Sequence, residues 1–195
     1  MVKVKTLVSG DFGENTYIVE RKSGKILIDP GFEQGISLPD KDFKYILLTH
    51  GHYDHIRGAL LFDPNIIFAH ESEKELLEDA AKNMSAYIGG EIVLENIRYF
   101  SGERYDMDGI EFFHTPGHTS GCVVIKIEDC CFSGDTLFED TVGRTDLPTG
   151  DSRALQKSLA LFDSFDKDTL VYPGHGKPFK LSDAYDINYF LGKKK

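Results

Sequence analysis

The sequence predicts an α+β fold in which mixed β-sheets are covered by helices. Predicted strands and helices alternate irregularly along the chain, and several successive strands are close enough to form hairpins. A doubly wound parallel sheet would require regular alternation, so this pattern disfavours it. The 195 residues suffice for one compact domain with a buried core, and we expect a single domain over residues 1–195.

Short apolar segments separated by glycine and turn residues define the strands. They are predicted at residues 2–8, 15–20, 25–29, 45–48, 97–100, 110–114, 122–127, 130–133 and 170–172. Apolar periodicity predicts helices at residues 55–62, 71–88, 152–163 and 182–191. The helical pattern is clearest over residues 71–82, where Ser72 is a candidate N-cap and Leu76 and Leu77 share one side.

The composition is that of a globular protein with an acidic surface. The formal net charge is −10, which is unfavourable for binding a polyanion, so no nucleic-acid partner is expected. No uninterrupted apolar run exceeds four residues, so no membrane span is expected. Residues 1–5 alternate like a strand and lack the apolar core of a signal peptide, which predicts a cytoplasmic protein.

The three cysteines indicate the same compartment. Cys122, Cys130 and Cys131 lie in apolar segments, and their spacing matches neither a zinc finger nor a C-x-x-C redox pair. We therefore expect free thiols that act as small hydrophobic side chains in a reducing environment.

Four potential metal ligands occur within six residues after the predicted strand 45–48. They are His50, His52, Asp54 and His55. A regular strand would place residue 55 on the opposite face from residues 50, 52 and 54. A loop that enters a helix can instead direct the first two side chains at one metal ion and the last two at a second. Gly51 relieves crowding where the backbone turns.

Three later segments repeat one arrangement, in which a short apolar strand is followed by glycine and a ligand-type residue. These residues are His118, Asp135 and His175. Loops at the ends of rigid strands often carry metal-binding and catalytic groups. Five imidazoles and two carboxylates suit zinc, iron or manganese rather than calcium. His70 and His114 lie in or beside apolar strands without this arrangement, so we expect structural roles for them.

These motifs resemble those of the metallo-β-lactamase superfamily. The matching stretches are H-x-H-x-D-H at 50–55, T-P-G-H-T at 115–119, G-D at 134–135 and P-G-H-G at 173–176, in the family's order over nearly the whole chain. Residues 133–138 and 143–147 are similar to the hydroxyacylglutathione hydrolase (glyoxalase II) group and also to persulfide dioxygenases. The resemblance implies an αββα sandwich, with two facing sheets, helices outside and metals at one edge.

The resemblance also implies a role for each ligand. His50, His52 and His118 would hold one divalent ion, Asp54, His55 and His175 a second, and Asp135 would bridge both. Because two dications exceed the charge of two aspartates, a bridging water would ionise near neutral pH and act as a hydroxide nucleophile. Zinc or iron is expected, with manganese also compatible, and Asp54 and Asp135 are the candidate catalytic carboxylates.

Substrate contacts are predicted from weaker signals. Arg144 and Asp146 either pair and brace their loop, which we favour, or leave Arg144 to meet an anionic substrate. Tyr87, Tyr172 and Lys177 are further candidates for the pocket wall.

The resemblance favours a hydrolase acting on a small acyl-thioester of the hydroxyacylglutathione type. Glyoxalase II enzymes carry a C-terminal helical domain that contacts glutathione, whereas twenty residues follow His175 here, so the natural thioester is left open, as is the oligomeric state. The alternative is a mononuclear iron persulfide dioxygenase using His50, His118 and Asp135. A nuclease fits the acidic surface poorly, and a non-catalytic binding module would not need a complete two-metal ligand set.

Overall fold

The computed structural model describes residues 2–10, 12–32, 41–88 and 90–192, and it confirms two mixed sheets flanked by helices. The first sheet has six strands in chain order. They are β1 Lys3–Ser9, β2 Glu14–Arg21, β3 Gly24–Ile28, β4 Tyr45–Leu47, β5 Ile67–His70 and β6 Arg98–Phe100. The first two pairings are antiparallel and the other three are parallel.

The second sheet has the order β12-β11-β10-β9-β8-β7. Its strands are β7 Arg104–Met107, β8 Ile110–His114, β9 Val123–Ile127, β10 Cys130–Gly134, β11 Leu170–Pro173 and β12 Phe179–Lys180. Only β10 and β11 pair in parallel. Strands β8, β10 and β11 consequently run in the same direction, and their carboxyl ends meet at one edge of the sheet.

The central strands, such as β2, β3, β9 and β10, are buried on both faces because each sheet is covered on both sides. In β9, Val123 and Ile125 face the other sheet, whereas Val124 packs outward with helical residues such as Leu159 and Phe162. This period-two alternation sorts buried side chains into three layers, one between the sheets and one outside each. All three cysteines are free.

The helices are short and lie outside the sheets. The α-helices are α1 Tyr53–Ile56, α2 Lys74–Leu77, α3 Ser152–Ser158 and α4 Leu181–Ile187. The 3₁₀ helices are Arg57–Leu61, Pro64–Ile66, Glu71–Glu73, Ser85–Tyr87 and Leu159–Ser164. Among the described helices, none combines the length and the apolarity needed to cross a membrane.

The helix predicted over residues 71–88 is wrong as a single element. A 3₁₀ turn and α2 form over residues 71–77, and the chain then leaves the helical path. The carbonyl oxygen of Leu77 accepts from Leu94 N at 2.8 Å, and that of Leu76 accepts from the Asn83 side-chain amide at 3.1 Å. Long-range hydrogen bonds therefore replace those that would have continued the helix.

Candidate metal centre

The seven ligand-type residues converge at the edge where the carboxyl ends of β8, β10 and β11 meet. The segment after β4 brings His50 and His52 on a loop and Asp54 and His55 on α1. The loops that follow the three strands of the second sheet supply His118, Asp135 and His175. Four separate connections thus build one site from both sheets.

The first group of side chains is His50, His52 and His118. Ligand atoms of these three residues lie within 4.8 Å of one another. His52 Nδ1 is 2.8 Å from His118 Nε2. None of the three is more than 5% exposed, so the group is shielded from bulk water.

The second group is Asp54, His55 and His175. Nε2 of His55 lies 3.3 Å from Nε2 of His175. Asp54 Oδ2 is 3.4 Å from His175 Nε2 and 3.7 Å from His55 Nε2. This group reaches the solvent through His175, whose side chain is 26% exposed.

Asp135 stands between the two groups. Its Oδ1 lies 3.6 Å from His55 Nε2, and its Oδ2 lies 3.6 Å from Nε2 of both His118 and His175. One carboxylate therefore faces both groups of ligands.

Hydrogen bonds on Nδ1 direct the Nε2 atoms of several histidines towards the other ligand-type side chains. A backbone carbonyl can only accept, so Nδ1 of His118 donates to the carbonyl of Arg144 at 2.7 Å. Nδ1 of His175 likewise donates to the carbonyl of Phe12 at 3.0 Å. These contacts fix the tautomer and the ring orientation that a metal ligand needs.

Asp29 orients two further histidines, although it was not identified from the sequence as part of the site. Its carboxylate accepts from His55 Nδ1 at 3.1 Å and from the hydroxyl of Thr49 at 2.5 Å. Since that hydroxyl donates to Asp29, its oxygen accepts from His50 Nδ1 at 3.1 Å. Asp29 directly follows the buried strand β3, as Asp135 follows β10, and this shared position is the signal that could have identified it.

Glu73 is the second residue that sequence reasoning missed. Its buried carboxylate accepts from Gly51 N and from Gly121 N, each at 2.7 Å, and from the Thr119 hydroxyl. Gly51 separates two predicted ligands, and Thr119 adjoins His118. One side chain therefore ties together both loops that carry the first group.

The protonation states match a cation-binding centre. Burial, reinforced by neighbouring imidazoles, lowers the pKa of His50 well below its usual range and that of His52 to about 3, so both rings are neutral. Burial also opposes a charge on His55, but the carboxylates of Asp54, Asp135 and Asp29 outweigh it and raise the pKa to about 10. The second group therefore attracts positive charge.

Orphaned polar atoms support the fit of a metal. His50 Nε2, His52 Nε2 and Asp135 Oδ1 are buried and have no hydrogen-bond partner within the described ranges. Buried polar atoms are normally satisfied, because leaving one unpaired costs about 1–3 kcal/mol. His50 Nε2 belongs to the first group and Asp135 Oδ1 lies between the two groups, where bound divalent ions would satisfy both atoms.

Gly174 leaves the space in which Asp135 sits. A Cβ atom at this position would lie 2.0 Å from Asp135 Oδ1 and 2.8 Å from Cε1 of His55. The backbone cannot move away easily, because Gly174 N donates to Gly134 O and its carbonyl accepts from Asn15 N. The glycine before His175 is thus required by close approach.

A cleft of about 430 Å³ opens over the centre. Its floor includes the predicted ligands His52, Asp54, His118, Asp135 and His175. Its walls are mainly apolar and come from Phe12, Tyr53, Met84, Ile88, Phe138 and Leu147, with Gly143 and Arg144 beside them.

The candidate substrate residues occupy different places. Arg144 lines the cleft, but its guanidinium donates two hydrogen bonds of 2.7 Å to the Asp146 carboxylate. Tyr87 is 71% exposed and Lys177 is also exposed, and neither lines the cleft. Tyr172 stacks on Phe132 between the two sheets. Successive residues of a strand face opposite sides, and the preceding residue, Val171, packs on the outer side of the sheet.

His70 and His114 form a separate pair away from the centre. Their rings stack at 4.0 Å, and His114 Nε2 donates to the carbonyl of Ser120 at 2.9 Å. Nδ1 of His70 accepts from Ser72 N at 3.2 Å. Both rings therefore make the structural contacts expected for them.

Comparison with known proteins agrees with this site. A probable metallo-hydrolase of Streptococcus pyogenes is 33% identical over 98% of this chain and 91% of its own length. The hydroxyacylglutathione hydrolase GloC of Haemophilus influenzae is 31% identical, covering 94% and 95% respectively. The structure of TTHA1623 in a di-iron-bound form superposes with a TM-score of 0.82 at 33% identity, covering 96% of this chain and 100% of that one.

The family model described as the metallo-beta-lactamase superfamily matches residues 9–175. That range contains all seven ligand-type residues. The fold, the clustered ligands and these similarities agree, and the chain belongs to the metallo-beta-lactamase superfamily.

Proposed function

We propose that the protein is a dinuclear metal-dependent hydrolase that cleaves a thioester. The observation that carries this proposal is the position of Asp135, which lies 3.6 Å from ligand atoms of both histidine groups. A mononuclear site would leave the second group without an ion. The similarity to hydroxyacylglutathione hydrolase GloC supports a thioester rather than another acyl compound.

The two groups would hold one ion each. His50, His52 and His118 would bind the first ion, Asp54, His55 and His175 the second, and Asp135 both. Two divalent ions bound there would lower the pKa of a coordinated water towards neutrality and polarise the substrate carbonyl. Zinc, iron and manganese are all compatible with this nitrogen and oxygen donor set.

The protein side chains would orient the reactants. The carboxylate of Asp54 lines the cleft, and its oxygen that does not hold the second ion would accept a hydrogen bond from the attacking water. The apolar walls exclude bulk water from the carbonyl carbon. A thiolate leaves readily without a proton donor, which suits a cleft whose histidines are committed to the metal centre.

The proposal is tested by metal content together with activity. The wild-type protein should bind about two equivalents of zinc or iron and hydrolyse thioesters, whereas Asp54→Asn should bind about one equivalent and lose activity by about 100-fold. Asp168→Asn is a matched control, because the side chain of Asp168 is 85% exposed and its carboxylate pairs with Lys180. Full activity of Asp54→Asn would contradict a two-ion mechanism.

Oxygen consumption separates the alternative chemistry. Iron-loaded protein would be assayed with glutathione persulfide in an oxygen electrode, beside thioester hydrolysis by zinc-loaded and iron-loaded samples. Rapid oxygen uptake without thioester cleavage by either form would overturn the proposal in favour of a dioxygenase. Nitrocefin serves as a β-lactam control, and we expect little turnover of it.

A further inference from the structure

The cleft above the centre has an apolar rim that is open to solvent. Phe12 is 53% exposed and Ile88 is 45% exposed, and both line the cleft together with Met84. Phe12 is held in place through edge-to-face contact with Tyr53 at 5.9 Å. Large apolar side chains left exposed beside a reaction centre indicate contact with an apolar part of the ligand.

The same cleft offers little to a charged substrate group away from the metals. Arg144 is the only lysine or arginine among its lining residues, all of which lie in the described ranges. Both 2.7 Å hydrogen bonds to Asp146 use the fork with which arginine would bind a substrate carboxylate. The pair also has no net charge. A glutathione moiety would bring two carboxylates to this surface, and among the described residues that line the cleft no cation is free to receive them.

We infer that the site selects thioesters whose thiol half is uncharged and whose acyl chain is apolar, rather than thioesters of glutathione. This inference rests on the proposed hydrolase function and specifies its substrate class. The apolar walls would receive the acyl chain, and the rim near the Arg144–Asp146 pair would accept an uncharged thiol.

The first experiment varies only the thiol half. S-lactoylglutathione and S-lactoyl-N-acetylcysteamine share an acyl group, and their kcat/KM values are compared on the metal-loaded protein. We expect kcat/KM for the neutral thioester to be about 10-fold higher or more. A substrate carboxylate that finds no cationic partner in the cleft lowers the binding affinity by at least this factor. Equal or better turnover of the glutathione thioester would overturn the inference and leave the proposed function standing. Cleavage of neither would overturn both.

The second experiment varies only the acyl chain. Each methylene that the apolar walls bury fully should raise kcat/KM by about 4-fold, so S-hexanoyl-N-acetylcysteamine should exceed S-acetyl-N-acetylcysteamine by at least about 10-fold. A ratio near one would overturn the inference. Ile88→Ser should reduce this ratio, whereas Ile187→Ser should not. Ile187 is a matched control because it is 59% exposed on α4 and does not line the cleft.

The third experiment releases the arginine. Asp146→Asn removes the negative charge that neutralises the guanidinium, so Arg144 becomes free to bind a carboxylate. We expect kcat/KM for S-lactoylglutathione to rise several-fold relative to that for the neutral thioester. The double variant Asp146→Asn/Arg144→Gln should lose the gain. If Asp146→Asn left both substrates unchanged, the pairing would not limit recognition of charged thiols, and this part of the inference would fail.

Discussion

At the scale of single residues, Glu73 carries information that no motif in the sequence provides. Seven ligand-type residues could be identified because they lie in compact motifs at strand ends. Glu73 and Asp29 could not, because their roles depend on partners such as Thr119 and Thr49 that are remote in the chain. An acidic residue within a predicted amphipathic helix is ordinarily solvated, and only the fold buries this one.

Glu73 should make stability depend on pH. Burial raises the pKa of its carboxyl to about 7, against 4.5 for an exposed glutamate. Between these values the folded state binds more protons than the unfolded state, so the free energy of unfolding should fall as pH rises through this window. Glu73→Gln should flatten that slope, which urea unfolding at several pH values would measure. Burial lowers the pKa of His70, so this residue makes the free energy of unfolding rise with pH. Its contribution is the same in the wild type and in Glu73→Gln and therefore cancels when the two are compared.

A difference curve with no slope between about pH 4.5 and 7 would show that Glu73 is not a titrating buried carboxyl. Glu73→Gln should also weaken metal binding by about 10-fold or more, because an amide cannot accept from all three donors around it. The absorption bands of cobalt-substituted protein would report any change in ligand geometry at the first ion, which a purely stabilising role would leave intact.

At the scale of elements, the sequence predicted the strands and helices that are defined by their own residues, but not those whose ends depend on long-range hydrogen bonds. The strands with strong apolar character were predicted within one or two residues, and the predicted helix over 152–163 corresponds to α3 and the 3₁₀ helix that follows it. The bounds of β5 were not predicted, although an apolar strand was expected in or beside His70. Strands β7 and β12 were missed because they are short, include charged side chains and are defined by their neighbours in the sheet. The prediction of one helix over residues 71–88 was wrong because the backbone carbonyls of Leu76 and Leu77 accept hydrogen bonds from Asn83 and Leu94 instead of continuing the helix.

The strand–glycine–ligand arrangement makes a direct prediction for Gly174→Ala. The glycine has no positive φ, so alanine fits the backbone, and the effect must come from the Cβ at 2.0 Å from Asp135 Oδ1. We expect Asp135 to be displaced, with loss of at least one bound metal and about 100-fold lower activity, while far-UV circular dichroism stays unchanged. Gly90→Ala is the control, because no heavy atom lies within 4 Å of its added Cβ. Normal metal content in Gly174→Ala would show that the centre tolerates the shift.

At the scale of the whole molecule, the three apolar layers and the metal centre stabilise different parts of the structure. The layers hold the sheets together and contain none of the seven candidate ligands. The centre joins the loop after β4 in the first sheet to three loops of the second. Its acidic side chains contribute to the formal net charge of −10. Without bound cations, these carboxylates and orphaned imidazoles oppose folding.

Metal removal should therefore lower the melting temperature without abolishing the fold. An ion present at about 1,000 times its dissociation constant stabilises the native state by about 4 kcal/mol, which corresponds to roughly 10 °C for a domain of this size. Calorimetry of the chelated and the reconstituted protein would measure the difference, with metal content determined on the same samples. Asp135→Asn should reduce this difference in melting temperature, because the Asp135 carboxylate faces both ligand groups. Since the apolar layers do not depend on the ligands, the chelated protein should keep its secondary structure and unfold cooperatively. Identical melting temperatures for fully loaded and metal-free samples would mean that the four loops are already fixed by contacts such as those of Asp29 and Glu73.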